Sequence, residues 1–190
     1  MPKIVDRDRY RKELLGKSFH LFAQQGYAAI AMRQLAEGLG VSTGTLYHYF
    51  PSKQAIFEQM MLERIEHSLR TFDADLTHLP SLKAKIVAVF QFFQREEKEA
   101  MDELLLCVEF YQHQQREGQT NSIIQQFYQR LKPEAMQLLG IQDETLLQFL
   151  FSIIDGLLLA HIYGATIDWM AQAELISATI ESYLPRSETR

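Results

Sequence analysis

The sequence predicts an all-α chain of about nine helices, with a three-helix domain at its start and a larger helical domain after it. Three observations carry that expectation. Apolar residues recur at helical spacing, as at Met32, Leu35, Ala36 and Leu39, and no stretch sustains the alternation of a half-buried strand. The five prolines (Pro2, Pro51, Pro80, Pro133 and Pro185) punctuate the chain and do not cluster. The 190 residues are 47% hydrophobic, enough for one sizeable core or a small domain joined to a larger one.

The first helix is expected from about Asp8 to Gln25, with Leu15, Phe19, Phe22 and Ala23 inward and Gly26 as its stop. The second carries the Met32 stripe and ends at Gly40, because glycine tolerates the left-handed conformation of a C-terminal cap. Val41 can pack inward from the turn. Ser42 is a good N-cap for the third helix, since its hydroxyl accepts from a free backbone N–H. That helix, Thr43 to Phe50, anchors itself with Leu46 and Phe50 and turns Thr43, Gly44, Tyr47 and His48 outward. Small residues at the start of a short helix, with aromatic and hydrogen-bonding residues in its middle, suit the DNA major groove.

Pro51 blocks continuation, and Ser52 can cap a fourth helix with Ile56, Phe57, Met60, Ile65 and Leu69 inward. After the break at Pro80-Ser81, helices are expected at Leu82–Arg95, Lys98–Arg116, Asn121–Leu139, Asp143–Gly164 and Ile167–Leu184. Pro133 falls inside the third of these and should kink or split it. The domain reading is 1–50 for a helix-turn-helix domain, 51–79 for a connecting helix, 80–185 for a regulatory and dimerisation domain, and 186–190 for a polar tail.

The formal net charge of −5 at first argues against a nucleic-acid partner, but its distribution reverses that. Residues 1–53 hold eight Lys/Arg against four acids, +4, while the remainder holds 11 against 20, −9. A basic module on an acidic body is the footprint of a DNA reader with a separate regulatory domain. Cys107 is the sole cysteine, which excludes an intrachain disulfide and leaves a buried inert thiol as its reading. The charged start MPKIVDRDRYRKELL does not read as a signal peptide, so none is expected. Phe149 to Ile167 approaches a membrane span in length, but Asp155 near its centre would cost of order a few kcal/mol in lipid. A buried bundle helix in a cytoplasmic protein fits better.

The string GVSTGTLYHYFPSKQAIF, residues 40–57, resembles the DNA-binding signature of the TetR family of transcriptional regulators, and the likeness is close from Phe22 to Phe57. The resemblance implies a DNA-contact set. Arg33 matches an arginine that reaches a guanine edge, where its fork donates to both O6 and N7. Tyr47 matches a tyrosine that meets bases or backbone. Thr43 and Gly44 open the recognition helix, where free N–H groups favour a phosphate and Gly44 permits close approach. Thr45, His48 and Tyr49 match positions that touch backbone or bases, although Tyr49 can equally lie against the first helix. Lys53 matches a phosphate-binding lysine. The chain departs from the family pattern at Ile30-Ala31, where relatives carry hydroxyl residues. This removes a phosphate contact and the natural cap of the second helix, a loss of about 1 kcal/mol.

For the second half, the resemblance implies a homodimer through the last two long helices and a small-molecule inducer. Leu146, Leu147, Phe149, Leu150, Ile153, Ile154, Leu157, Leu158 and Leu159 are apolar almost all round, as a doubly buried helix requires. Phe90, Phe93, Leu106, Glu109, Phe110, Phe127, Tyr128, Asp155 and Tyr163 are the candidates to line a ligand pocket, with ordinary core packing as the alternative for each aromatic or aliphatic residue. Glu109 and Asp155 on apolar helices each need a partner, either a cationic ligand or a polar side chain of the chain itself. Glu109 and His113 stand four apart, but two residues make no metal site. No cofactor, metal or catalytic residue is expected, because no phosphate loop, nucleophile elbow or metal triad occurs. The expected function is a repressor that leaves a palindromic operator on binding inducer. The rival is a DNA-binding structural or adaptor protein whose C-terminal domain takes a protein partner.

Overall fold

The computed structural model describes residues 6–118 and 123–183. Among them are nine α-helices and no strand: α1 (Arg7–Gln25), α2 (Met32–Gly38), α3 (Thr43–Tyr49), α4 (Lys53–Leu76), α5 (Leu82–Arg95), α6 (Glu97–Arg116), α7 (Ile123–Leu139), α8 (Glu144–Ile162) and α9 (Trp169–Tyr183). The expected beginning of the seventh helix at Asn121, the end of the ninth at Leu184 and the polar tail lie outside the described residues.

The chain forms two compact units. The first comprises the described residues of Met1–Ser68 together with Asp102–Arg130; the second comprises Leu69–Met101 and the described residues from Leu131 onward. In the first unit, the Asp6 carboxylate caps α1 by accepting from the N–H groups of Asp8 and Arg9. Leu14, Leu15, Phe19 and Phe22 then face inward to meet Leu35, Leu46, Phe50, Ile56, Phe57 and Met60 in one core. Full burial of each such side chain contributes roughly 1.5–3 kcal/mol. From α6 and α7 the same unit takes Leu106, Phe110 and Phe127 into burial. Arg64 lies 3.6 Å over the Phe19 ring and bonds Glu103 at 2.8 Å, tying α1, α4 and α6 together.

In the second unit, α5 packs on α9. Ile86 and Phe90 of the one and Trp169, Ala173, Ile176 and Ile180 of the other are buried, with the Trp169 ring stacked against Phe93 and edge-on to Phe90. The Trp169 indole N–H donates to Glu97 Oε1 at 2.9 Å. His161 Nδ1 stands 2.7 Å from the same oxygen, off the line of a hydrogen bond. Asp168 caps α9 by accepting from the Ala171 N–H, so the helix begins two residues later than its apolar pattern suggests.

Helix α7 runs unbroken through Pro133 to Leu139 and is not split. Pro133 and Gln129, four residues earlier, are both exposed, so water can take the carbonyl that loses its amide partner. The Lys85 ammonium donates to Leu138 O at 2.6 Å and closes the far end of α7. Helix α8 is the one described helix long and apolar enough to cross a membrane by length and composition, and only 28% of that stretch is buried within the chain. Leu146, Leu147, Leu150, Ile154 and Leu158 face inward, and Phe149 remains 39% exposed.

Candidate nucleic-acid interface

The turn between α2 and α3 is built by backbone bonds. The Gly40 N–H donates to Glu37 O at 3.0 Å and the Val41 N–H to Ala36 O at 2.9 Å, with Gly40 at φ +70°. Ser42 Oγ accepts from the Thr45 N–H at 2.9 Å and so starts α3. Leu46 and Phe50 show no exposed surface and fix the helix by its inner face. Its outer face carries Gly44, Tyr47 and His48, all exposed, with Thr43 and Thr45 half-buried beside them. Tyr47 leaves 52% of its surface in solvent. Arg33 is exposed on α2.

Two residues of the expected contact set are engaged inside the protein. Tyr49 is half-buried, with its ring 5.6 Å edge-on to Tyr10 of α1 and the Arg7 guanidinium 5.8 Å from its centroid. Lys53 turns its ammonium back on the loop before α2. It donates to Tyr27 O at 2.7 Å, Ile30 O at 2.9 Å and Ala28 O at 3.3 Å, and lies 4.6 Å from the Tyr27 ring centroid. An ammonium has three donors, and all three are spent here. Burial lowers the Lys53 pKa below the usual lysine value, and the Glu109 charge partly offsets that.

The missing cap at Ala31 is half restored. Gln34 Oε1 accepts from the Ala31 N–H at 2.8 Å, the return half of a reciprocal cap, while the alanine methyl offers nothing to Gln34.

Sequence reading missed what holds the loop from the other side. Glu109 Oε2 accepts from the Tyr27 N–H at 2.9 Å and Oε1 from the Ala28 N–H at 3.0 Å. Tyr27 is buried beneath it, with ring centroids 4.6 Å from Phe110 and 5.0 Å from Phe57. Burial, with the Glu58 charge adding, pushes the Tyr27 hydroxyl up to about 12. Gly26, at φ +79°, was the only local signal, since an ideal Cβ there would stand 3.0 Å from the Glu109 carboxylate.

The partner that Glu109 requires is therefore the chain's own backbone. Of the other expected pocket residues, Leu106, Phe110, Phe127 and Tyr128 fall in the first unit, and Phe90, Phe93, Asp155 and Tyr163 in the second. Phe90 packs on Trp169, while Tyr163 is 83% exposed and Tyr128 is 39% exposed. Asp155 lies on the outer side of α8, where the bulk of its apolar neighbours raises its carboxyl above the usual carboxylate value. Among the described residues no group of three or more His, Cys, Asp or Glu side chains is placed to hold a metal.

Residues 14–60 match the family described as bacterial regulatory proteins, tetR family. Across nearly its whole length the chain is similar to the HTH-type transcriptional regulator BetI of Brucella anthropi, 26% identical over 97% of this chain and 96% of that one. A shorter likeness, 39% identical, covers 38% of this chain and 35% of the nucleoid occlusion factor SlmA of Haemophilus ducreyi. Among solved structures, Salmonella enterica GusR superimposes with a TM-score of 0.67 at 22% identity, covering 95% of this chain and 96% of that one. The regulator FadR from Bacillus subtilis, in complex with stearoyl-CoA, gives 0.66 at 18% identity over 93% and 100%.

Proposed function

The chain belongs to the tetR family of bacterial regulatory proteins and is a DNA-binding transcriptional regulator, and from that premise we propose that it is a cytoplasmic homodimeric repressor released from a palindromic operator by a small molecule. The observation that carries the reading is the outer face of α3. A helix locked by Leu46 and Phe50 at zero exposure presents Tyr47, His48 and Gly44 to solvent, with Arg33 exposed on α2. Arg33, Thr43, Gly44 and Tyr47 read sequence, and Thr45 and His48 add backbone contacts. Tyr49 and Lys53 serve the same surface from behind, as supports. Residues 1–50 act as the reader, 51–79 as the connection and 80–185 as the regulatory part.

Dimerisation is supported by the poor burial of α8 within one chain and by the exposed Phe149 and Leu175. A two-fold pair would present two copies of α3 to successive major grooves, roughly 34–36 Å apart. FadR in complex with stearoyl-CoA, which shares the fold, supports a small-molecule ligand for this chain. Phe90, Phe93, Asp155 and Tyr163 of the second unit and, separately, Phe127 and Tyr128 of the first are the residues to vary in seeking it. Inducer need couple to DNA binding by only about 1–3 kcal/mol to empty most operators. The chain is proposed to have no catalytic role.

A second reading, an adaptor bound to DNA, is favoured by one observation. Leu105, Val108 and Tyr111 line one side of α6 in solvent.

Selection of bound sites from a random duplex pool tests the first reading, with Arg33→Ala and Tyr47→Ala alongside. One palindrome recovered by the wild type and blurred in the variants supports a dimeric sequence reader. No enrichment at low salt sinks it. Small molecules screened against that palindrome then separate inducer control from the adaptor.

A further inference from the structure

We propose that Glu109 is a positioning residue for operator binding: from α6 it holds the loop that sets α2, and with it Arg33, in register for the groove. The proposal rests on the reading that α2 and α3 contact DNA.

The loop between α1 and α2 spans Gly26 to Ala31, and Arg33 is the second residue of the helix that follows. The backbones of Tyr27 and Ala28 are gripped from both sides by full charges. Their two N–H groups enter the Glu109 carboxylate at 2.9 and 3.0 Å, and their two carbonyls, with that of Ile30, receive the Lys53 ammonium. Successive amides aimed at one carboxylate form an anion-binding concavity, and the bonds are charge-assisted. The Tyr27 N–H belongs to a residue only 3% exposed, so without Glu109 a buried donor would be orphaned.

The seat is tight. A Cβ on Gly26 would stand 3.0 and 3.1 Å from the two carboxylate oxygens, and the residue's φ of +79° suits glycine. The ring stack of Phe57 on Phe110, 4.3 Å apart, and the Tyr27 ring edge-on to both keep α6 against this loop. Glu109 lies 82 residues from Tyr27 in sequence, so the grip is a tertiary device and not a local turn.

A carboxylate near DNA has a second effect, repulsion of phosphate, and the two effects differ in sign. Losing the charge alone strengthens binding to any duplex. Losing the grip weakens binding to the operator and leaves random duplex unchanged or slightly better bound.

The test is fluorescence anisotropy of the full-length chain on two labelled duplexes, the selected operator and a scrambled sequence. Glu109→Gln keeps the volume and offers one oxygen where two are needed. Glu109→Asp keeps the charge and withdraws it by one methylene. Glu117→Gln, in the turn beyond α6, is the charge control. The expected result is a fall of about ten-fold in the operator-to-scrambled preference for Glu109→Gln, the order set by losing charge-assisted bonds. Glu109→Asp should fall in the same direction, and Glu117→Gln should not move. Amide exchange at Tyr27 and Ala28 should quicken in both Glu109 variants while the far-ultraviolet spectrum stays helical.

Equal tightening on both duplexes by Glu109→Gln, with Glu109→Asp like wild type, overturns the proposal in favour of simple repulsion. So does an unchanged preference with quickened exchange. Loss of helical signal in both variants, with both duplexes released alike, assigns Glu109 to folding alone. If the wild type itself shows no preference for the selected duplex, the DNA reading and this proposal fall together.

Discussion

Lys53→Met separates two roles for one lysine. Methionine keeps the unbranched stem and removes the ammonium that donates to Tyr27 O, Ala28 O and Ile30 O. A hydrogen bond to a charged group contributes about 1.5–3 kcal/mol, and three sharing one ammonium are far from additive. The contact at 3.3 Å is weak, and Lys53 is half-exposed, so solvent can replace part of what is lost. A net destabilisation of about 2–3 kcal/mol follows, together with loss of the cation over the Tyr27 ring. Thermal unfolding should fall by several degrees, roughly 2–4 °C per kcal/mol for a chain of this size. Operator affinity should fall as the loop before α2 loosens. The deciding quantity is the dependence of log K on log salt. Each lost phosphate contact reduces that slope by about 0.9 in magnitude. A lysine whose donors all point inward predicts a steep affinity loss with the slope unchanged. A slope lower by about 0.9 per protomer, with thermal stability intact, refutes the inward role and makes Lys53 a phosphate contact.

Three further outcomes are expected. Ala31→Ser should complete the reciprocal cap with Gln34 and raise stability by about 0.5–1 kcal/mol, read by chemical denaturation; no gain would mean that α2 is held by packing alone. Gly26→Ala should cost about 1–3 kcal/mol for its strained backbone and should also displace the Glu109 carboxylate, so its operator preference should fall with that of Glu109→Gln. Asp155, exposed on α8, has its carboxyl raised by the bulk of the apolar side chains around it, so the folded state holds the proton more tightly than the unfolded one. Its unfavourable contribution is present at neutral pH and vanishes as pH falls through the raised value toward 3.8. Asp155→Asn should therefore unfold at a slightly higher temperature than wild type at pH 7, with the gap closing near pH 4; a gap that widens on acidification would contradict the desolvation argument.

The recognition helix was legible because its signals are local. Gly40 ends one helix, Ser42 starts the next, and Leu46 and Phe50 sit at helical spacing, so each inference needed only a few neighbours. The outward residues followed from the same periodicity. Lys53 was less legible because its position in a motif says where a side chain starts and not where its tip goes. A four-carbon stem reaches either phosphate or the loop behind it. Glu109 was legible only as an acid on an apolar helix that needed a partner. Backbone amides 82 residues away leave no side-chain pattern to detect. Pro133 did not split α7, because on an exposed face water can take the carbonyl that loses its amide partner.

The part of α6 and α7 that lies within the first unit bears on how this reader could be transplanted. A fragment cut after residue 50 would forfeit the Glu109 latch on Tyr27 and Ala28, the Lys53 ammonium beneath the same loop, and the Phe57 and Phe110 rings around Tyr27. Grafting those first residues onto a foreign sensor would move the letters of the motif without the latch that keeps them legible. A working chimera would carry residues 51–68 and the Asp102–Arg130 segment as well, restoring both the cation and the anion at the α1–α2 loop. The unit of inheritance for specificity in this chain is thus discontinuous, and its two pieces must travel together.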